Sequence, residues 1–151
     1  MKKFLFLFLF AAMVYACNKD SYGPKPILTF EGFSIPSIDS NTTAMEVFFR
    51  VKDGDGDIDS SIYWTKHFTI PNPNGGSPNG VNKMPGIGEN TGKSVNAQVR
   101  LQLQAIDFGG WAEHTGTRPD SLWFTAYVID RAGNSSDTIT TGKIPIYKSQ
   151  N

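Results

Sequence analysis

The chain is poor in the residues that most metal and nucleophilic chemistry uses: 151 residues contain one cysteine and two histidines. A single thiol excludes an intrachain disulfide. His67 and His114 stand far apart, outside any C-x-x-C or H-E-x-x-H pattern, so no zinc signature forms. A G-x-S-x-G elbow is also missing. Charge of one sign is lacking too. The 14 Lys+Arg balance 14 Asp+Glu without a basic run, which argues against nucleic acid as a partner. The sustained apolar run Phe4 to Met13 is ten residues, and as a helix it would cover only ~15 Å, about half a bilayer core. What is plentiful is turn chemistry, with 15 Gly and 9 Pro, in a chain long enough for one domain with a real core.

Met1-Lys2-Lys3 followed by that run has the form of an export signal. It ends in Val14-Tyr15-Ala16-Cys17, with small Ala16 directly before the lone cysteine. The stretch resembles a bacterial lipoprotein signal, in which an aliphatic residue stands three before the cysteine and a small one just before it. The resemblance implies cleavage of 1–16, lipidation of Cys17, and attachment to a membrane through acyl chains. Asn18 is not the Asp associated with inner-membrane retention, so the outer membrane is expected, with the facing side left open. The plainer alternative is an ordinary secretory signal. Residues 17–26 then form a polar, proline-bearing lipidated tether, and 27–151 the domain. Cleavage removes Lys2 and Lys3 and leaves a net charge of −2.

From Ile27 the patterning has period two. Val95, Ala97, Val99, Leu101, Leu103 and Ala105 alternate with Asn96, Gln98, Arg100, Gln102 and Gln104, as a half-buried antiparallel strand requires. Met45, Val47, Phe49 and Val51 alternate in the same way. Further strands are expected at Ile27–Ile35, Ile62–Ile70, Ser121–Ile129 and Thr138–Tyr147. Ser121–Ile129 is apolar on both faces and therefore central. The expectation is an all-β antiparallel sandwich of about seven strands. The segment Ile129-Asp130-Arg131-Ala132-Gly133-Asn134 resembles the last hairpin of bacterial immunoglobulin-like and fibronectin-type domains. That likeness implies an immunoglobulin-like architecture and, because such folds host many functions, no particular activity.

Asp53-Gly54-Asp55-Gly56-Asp57-Ile58-Asp59 is the most unusual segment. Carboxylates at alternate positions repel one another unless solvated or neutralised, and hard oxygens on a glycine-rich loop are what Ca²⁺ takes. The register is not that of an EF-hand: Ile58 stands where the glycine belongs and Trp64 where the glutamate does. If Ala44–Lys52 and Ser121–Ile129 are the second and sixth strands of a sandwich, the loops after them share one end. Asp130 then approaches the acidic loop, giving a candidate site of Asp53, Asp55, Asp57, Asp59 and Asp130. The alternative is a solvated acidic turn.

Gly86 to Ser94 imitates a phosphate-binding loop, but the spacing is wrong and Val95 opens a strand where a helix is needed. Prolines 71, 73, 78 and 85 make the surrounding stretch a loop without strand or helix. Asp107–Asp120, at the end opposite the acidic loop, carries Trp111, Glu113 and His114. Trp111 is either a plug over the core or a stacking platform for a ligand. The expected function is non-catalytic: a membrane-anchored binding or structural module, with a protein or glycan ligand. Glycan stacking on Trp111, Trp64 or Trp123 is the second reading, and a small hydrolase using His114 with Glu113 or Asp107 the third.

Overall fold

The computed structural model describes residues 22–58, 61–69, 78–84, 92–107 and 120–147. Eight strands follow in chain order: β1 Ile27–Phe33, β2 Ala44–Asp53, β3 Ser61–Phe68, β4 Asn79–Lys83, β5 Val95–Gln104, β6 Asp120–Ile129, β7 Ile139–Thr140 and β8 Ile144–Ile146. They form an all-β sandwich. One sheet has the order β1-β2-β5; the other runs β4-β3-β6, with β7 and β8 successively along the far edge of β6. All strand pairs are antiparallel. No helix among the described residues is long and apolar enough to cross a membrane.

The alternation read in the sequence is what seals the two sheets together. Met45, Val47, Phe49 and Val51 of β2 are buried with Leu122, Phe124, Ala126 and Val128 of β6, while their neighbours face outward. Across the sheet, Ala44 pairs Gln104 and Asp53 pairs Val95. This register puts the acidic turn and the Asp107 end of β5 at opposite poles.

Three expectations need correction. Residues 79–83, expected to lie in a loop without strand, form β4 against β3. Pro78 stands just before the strand, where its missing N–H costs no ladder bond, and its carbonyl accepts from Lys66 N–H at 2.7 Å. A Cβ on Gly80 would lie 2.1 Å from the indole of Trp64, so only glycine lets the two strands close over that ring. The closing strand is broken into β7 and β8, because Thr141 replaces regular pairing with a side-chain bond, its Oγ1 accepting from Phe124 N–H at 2.9 Å. β5 ends at Gln104 rather than Ala105, passing into a 3₁₀ turn at Ala105–Asp107.

Candidate metal centre

β2 delivers Asp53 to the site. It continues the inward series Met45, Val47, Phe49, Val51, so its carboxylate is carried into the end of the core and is fully buried. The chain turns back on itself when Asp57 N–H donates to Asp53 Oδ2 at 3.1 Å. Ile58 then drops into the core with no exposure and anchors the turn from the other side.

The neighbouring loops hold this turn from three directions. In the hairpin after β6, Asn134 donates both its N–H to Asp130 Oδ1 and its side-chain amide to Asp130 Oδ2, at 2.7 and 2.8 Å. The same hairpin fastens the acidic turn: Arg131 N–H donates to the Asp57 carbonyl at 3.1 Å, and Ala132 N–H to Asp57 Oδ2 at 2.9 Å. Ahead of β5, Gly92 N–H donates to the Asp55 carbonyl at 2.5 Å. On the third side Gly54 N–H donates to the Gly23 carbonyl at 3.2 Å.

With the backbone so tied, the carboxylates converge. Ligand oxygens of Asp53, Asp55 and Asp57 all lie within 4.8 Å of one another. One oxygen of each (Oδ1 in all three) is buried with no hydrogen-bond partner among the described residues. Two oxygens bound to one Ca²⁺ at ~2.4 Å can be at most ~4.8 Å apart, so the spacing fits a shared ion. Burial, followed by the charges of Asp55 and Asp57, pushes the Asp53 carboxyl up to about 6. Burial also raises Asp57, with the Ala132 N–H opposing and the Asp130 charge adding to the rise. Three carboxylates that each bring an oxygen within 4.8 Å of the others, and each keep one buried oxygen unpartnered, are a set of hard ligands that suits Ca²⁺ rather than a soft metal.

The loops after β2 and β6 do share one end, and Asp130 lies beside Asp57, with both its oxygens taken by Asn134. Cys17, Asp59 and Trp111, like Glu113 and His114, lie outside the described residues. Trp64, one of the three indoles expected to stack on a glycan, packs inward. It is a core residue, 8% exposed, edge-on to Phe124 and bonded through its indole N–H to Asn82 Oδ1 at 2.7 Å. Trp123 is half-buried: His67 stacks on its ring at 5.5 Å from β3, and Lys143 lies over it at 4.6 Å from the β8 side. His67 itself meets Thr125 Oγ1 at 3.0 Å.

Two features went unread in the sequence. Lys66 points inward and is buried, donating to the Asp107 carbonyl; its alternation with Trp64 and Phe68 was the available signal. The packing of Tyr22–Pro26 on the acidic turn left no signal, since backbone carbonyls make most of it. Comparison with protein-family models, curated proteins and solved structures returned no match.

Proposed function

We propose that the chain is a lipid-anchored, non-catalytic module of the bacterial envelope, with an immunoglobulin-like sandwich whose acidic end is organised by Ca²⁺. The observation that carries the metal reading is the trio of buried, unpartnered oxygens on Asp53, Asp55 and Asp57. A solvated acidic turn would send those oxygens into water; here they are buried, in carboxylates that lie within 4.8 Å of one another. The strand order β1-β2-β5 against β4-β3-β6-β7 supports the immunoglobulin-like reading. The anchor rests on Ala16-Cys17 and the signal before it. Water supplies the remaining ligands of an ion that takes six to eight oxygens.

Calorimetric titration of Ca²⁺ into the chelator-treated chain from Cys17 onward, carrying Cys17→Ser, tests the metal. Saturable binding that is lost in the Asp55→Asn, Asp57→Asn double variant is expected, and silence at millimolar Ca²⁺ overturns the reading. The anchor is tested by labelled palmitate in the producing cell, with incorporation expected and then abolished by Cys17→Ser.

A further inference from the structure

Residues 22–26, just ahead of β1, are docked on the candidate metal centre. The Tyr22 ring lies under the Lys52 ammonium, 5.3 Å from Nζ to the centroid. The carbonyl of Gly23 accepts from Gly54 N–H at 3.2 Å. That of Pro24 accepts from the Asn134 side-chain amide at 3.3 Å. Lys25 pairs with Asp137 at 2.6 Å, and Pro26 is buried. The approach is close enough that a Cβ on Gly54 would stand 1.8 Å from the Tyr22 carbonyl oxygen.

Each partner that the segment meets through Tyr22, Gly23 and Pro24 is a neighbour of the carboxylates. Lys52 and Gly54 flank Asp53, and Asn134 is the residue that holds Asp130. The individual contacts are weak: the Lys25–Asp137 pair is exposed, and such pairs add little. Docking therefore depends on the turn presenting Gly54 N–H and the Lys52 ammonium in fixed positions. Mutual repulsion among Asp53, Asp55 and Asp57, one of them fully buried with an unpartnered oxygen, works against that order. A divalent cation removes the repulsion.

We propose that a cation bound by Asp53, Asp55 and Asp57 latches the membrane tether to the domain, so that ion occupancy and docking of Tyr22–Pro26 are coupled. This rests on the Ca²⁺ reading above and adds regulation to that site: calcium decides whether the domain swings on its anchor or is held against it. Coupling of this kind is reciprocal, so loosening the tether must weaken the ion.

The test uses the chain from Cys17 onward with Cys17→Ser and Gly23→Cys, spin-labelled at the new thiol. A Cβ at Gly23 meets nothing within 4 Å, so the label sits on the docked segment without displacing it. Added Ca²⁺ is expected to convert a mobile spectrum into an immobile one with the calorimetric midpoint, and chelator to reverse it. Gly54→Ala should keep the label mobile at saturating Ca²⁺ and weaken Ca²⁺ affinity at least about fivefold. Tyr22→Ala, which adds no atom and touches no carboxylate, should shift both readings in the same direction. Ca²⁺ binding with unchanged label mobility overturns the latch and leaves the metal site standing. No Ca²⁺ binding at all overturns both.

Discussion

Ala132 reaches across 75 residues of sequence to donate its backbone N–H to the Asp57 carboxylate at 2.9 Å. This bond joins the hairpin after β6 to the turn after β2, and it occupies Oδ2 while Oδ1 is buried without a partner among the described residues. Asp57 is thus both a structural tie and a candidate ligand. Asp55 has no side-chain tie of that kind among the described residues, and is the better residue with which to separate the two roles.

Asp55→Asn removes one charge from three that lie within 4.8 Å, where a pair of full charges repels by roughly 3–4 kcal/mol at an effective dielectric of about 20. The variant should melt higher than the parent in chelator and gain nothing from Ca²⁺. The parent should gain about 2.7 kcal/mol at roughly a hundredfold excess of Ca²⁺ over Kd. Thermal unfolding in both conditions reads the two effects, and a lower Tm for the variant in chelator contradicts the repulsion.

The same trio sets a pH dependence in the metal-free protein. Asp53 is pushed up to about 6 when folded, above its ordinary carboxylate value. The folded state therefore binds the proton more tightly than the unfolded state. Stability contributed by this group grows as pH falls through about 6 and is complete below the unfolded pKa; Asp57 shifts in the same direction. Chelator-treated protein should melt higher near pH ~5 than near pH ~7, and Asp53→Asn should flatten that rise. With Ca²⁺ present the order should reverse, because protons compete with the ion.

Gly80 lies under the Trp64 ring, so close that a Cβ there would stand 2.1 Å from the nearest indole atom. The indole cannot retreat, held between Phe124 and the bond to Asn82. Gly80→Ala should cost about 1–3 kcal/mol, measured by urea unfolding. Tryptophan emission should shift red as the ring loses its cover.

Burial depresses the Lys66 ammonium pKa, with the Asp107 charge opposing. A folded pKa below the unfolded value means that stability is withheld at neutral pH and recovered only as the lysine deprotonates. Lys66→Met should therefore be neutral or stabilise by about 1 kcal/mol near neutral pH. It should also remove the gain in stability that the parent shows on going to alkaline pH. A loss of more than about 1 kcal/mol would mean that the ammonium's bond to the Asp107 carbonyl outweighs its desolvation.

The sheet framework could be read directly because its signal is local. β2 and β5 each alternate over ten residues, and burial of one face leaves no other register available; β6 is marked instead by a continuous apolar run. The acidic turn was legible for the same reason, as was its meeting with Asp130, which follows from strand order. β4 was hidden because Asn79–Lys83 has almost no apolar pattern and exists through Gly80 fitting beneath the indole of Trp64 on the neighbouring strand. The ring contacts of Trp123 depend likewise on His67 and Lys143 arriving from different parts of the chain. Composition can flag an aromatic, but only packing says whether its face is open.

Docking of Tyr22–Pro26 sets a leash length. If Cys17 carries the acyl chains, five residues, 17–21, separate the bilayer from the docked segment, a reach of at most ~17 Å; with the segment undocked, 17–26 reaches at most ~35 Å. The docked sandwich then stands with its carboxylate pole toward the headgroups. β2 and β5 rise from that pole for ten residues each, or ~33 Å. The pole where Asp107 leaves and Asp120 returns is consequently held within ~50 Å of the membrane, the height at which a partner would meet it.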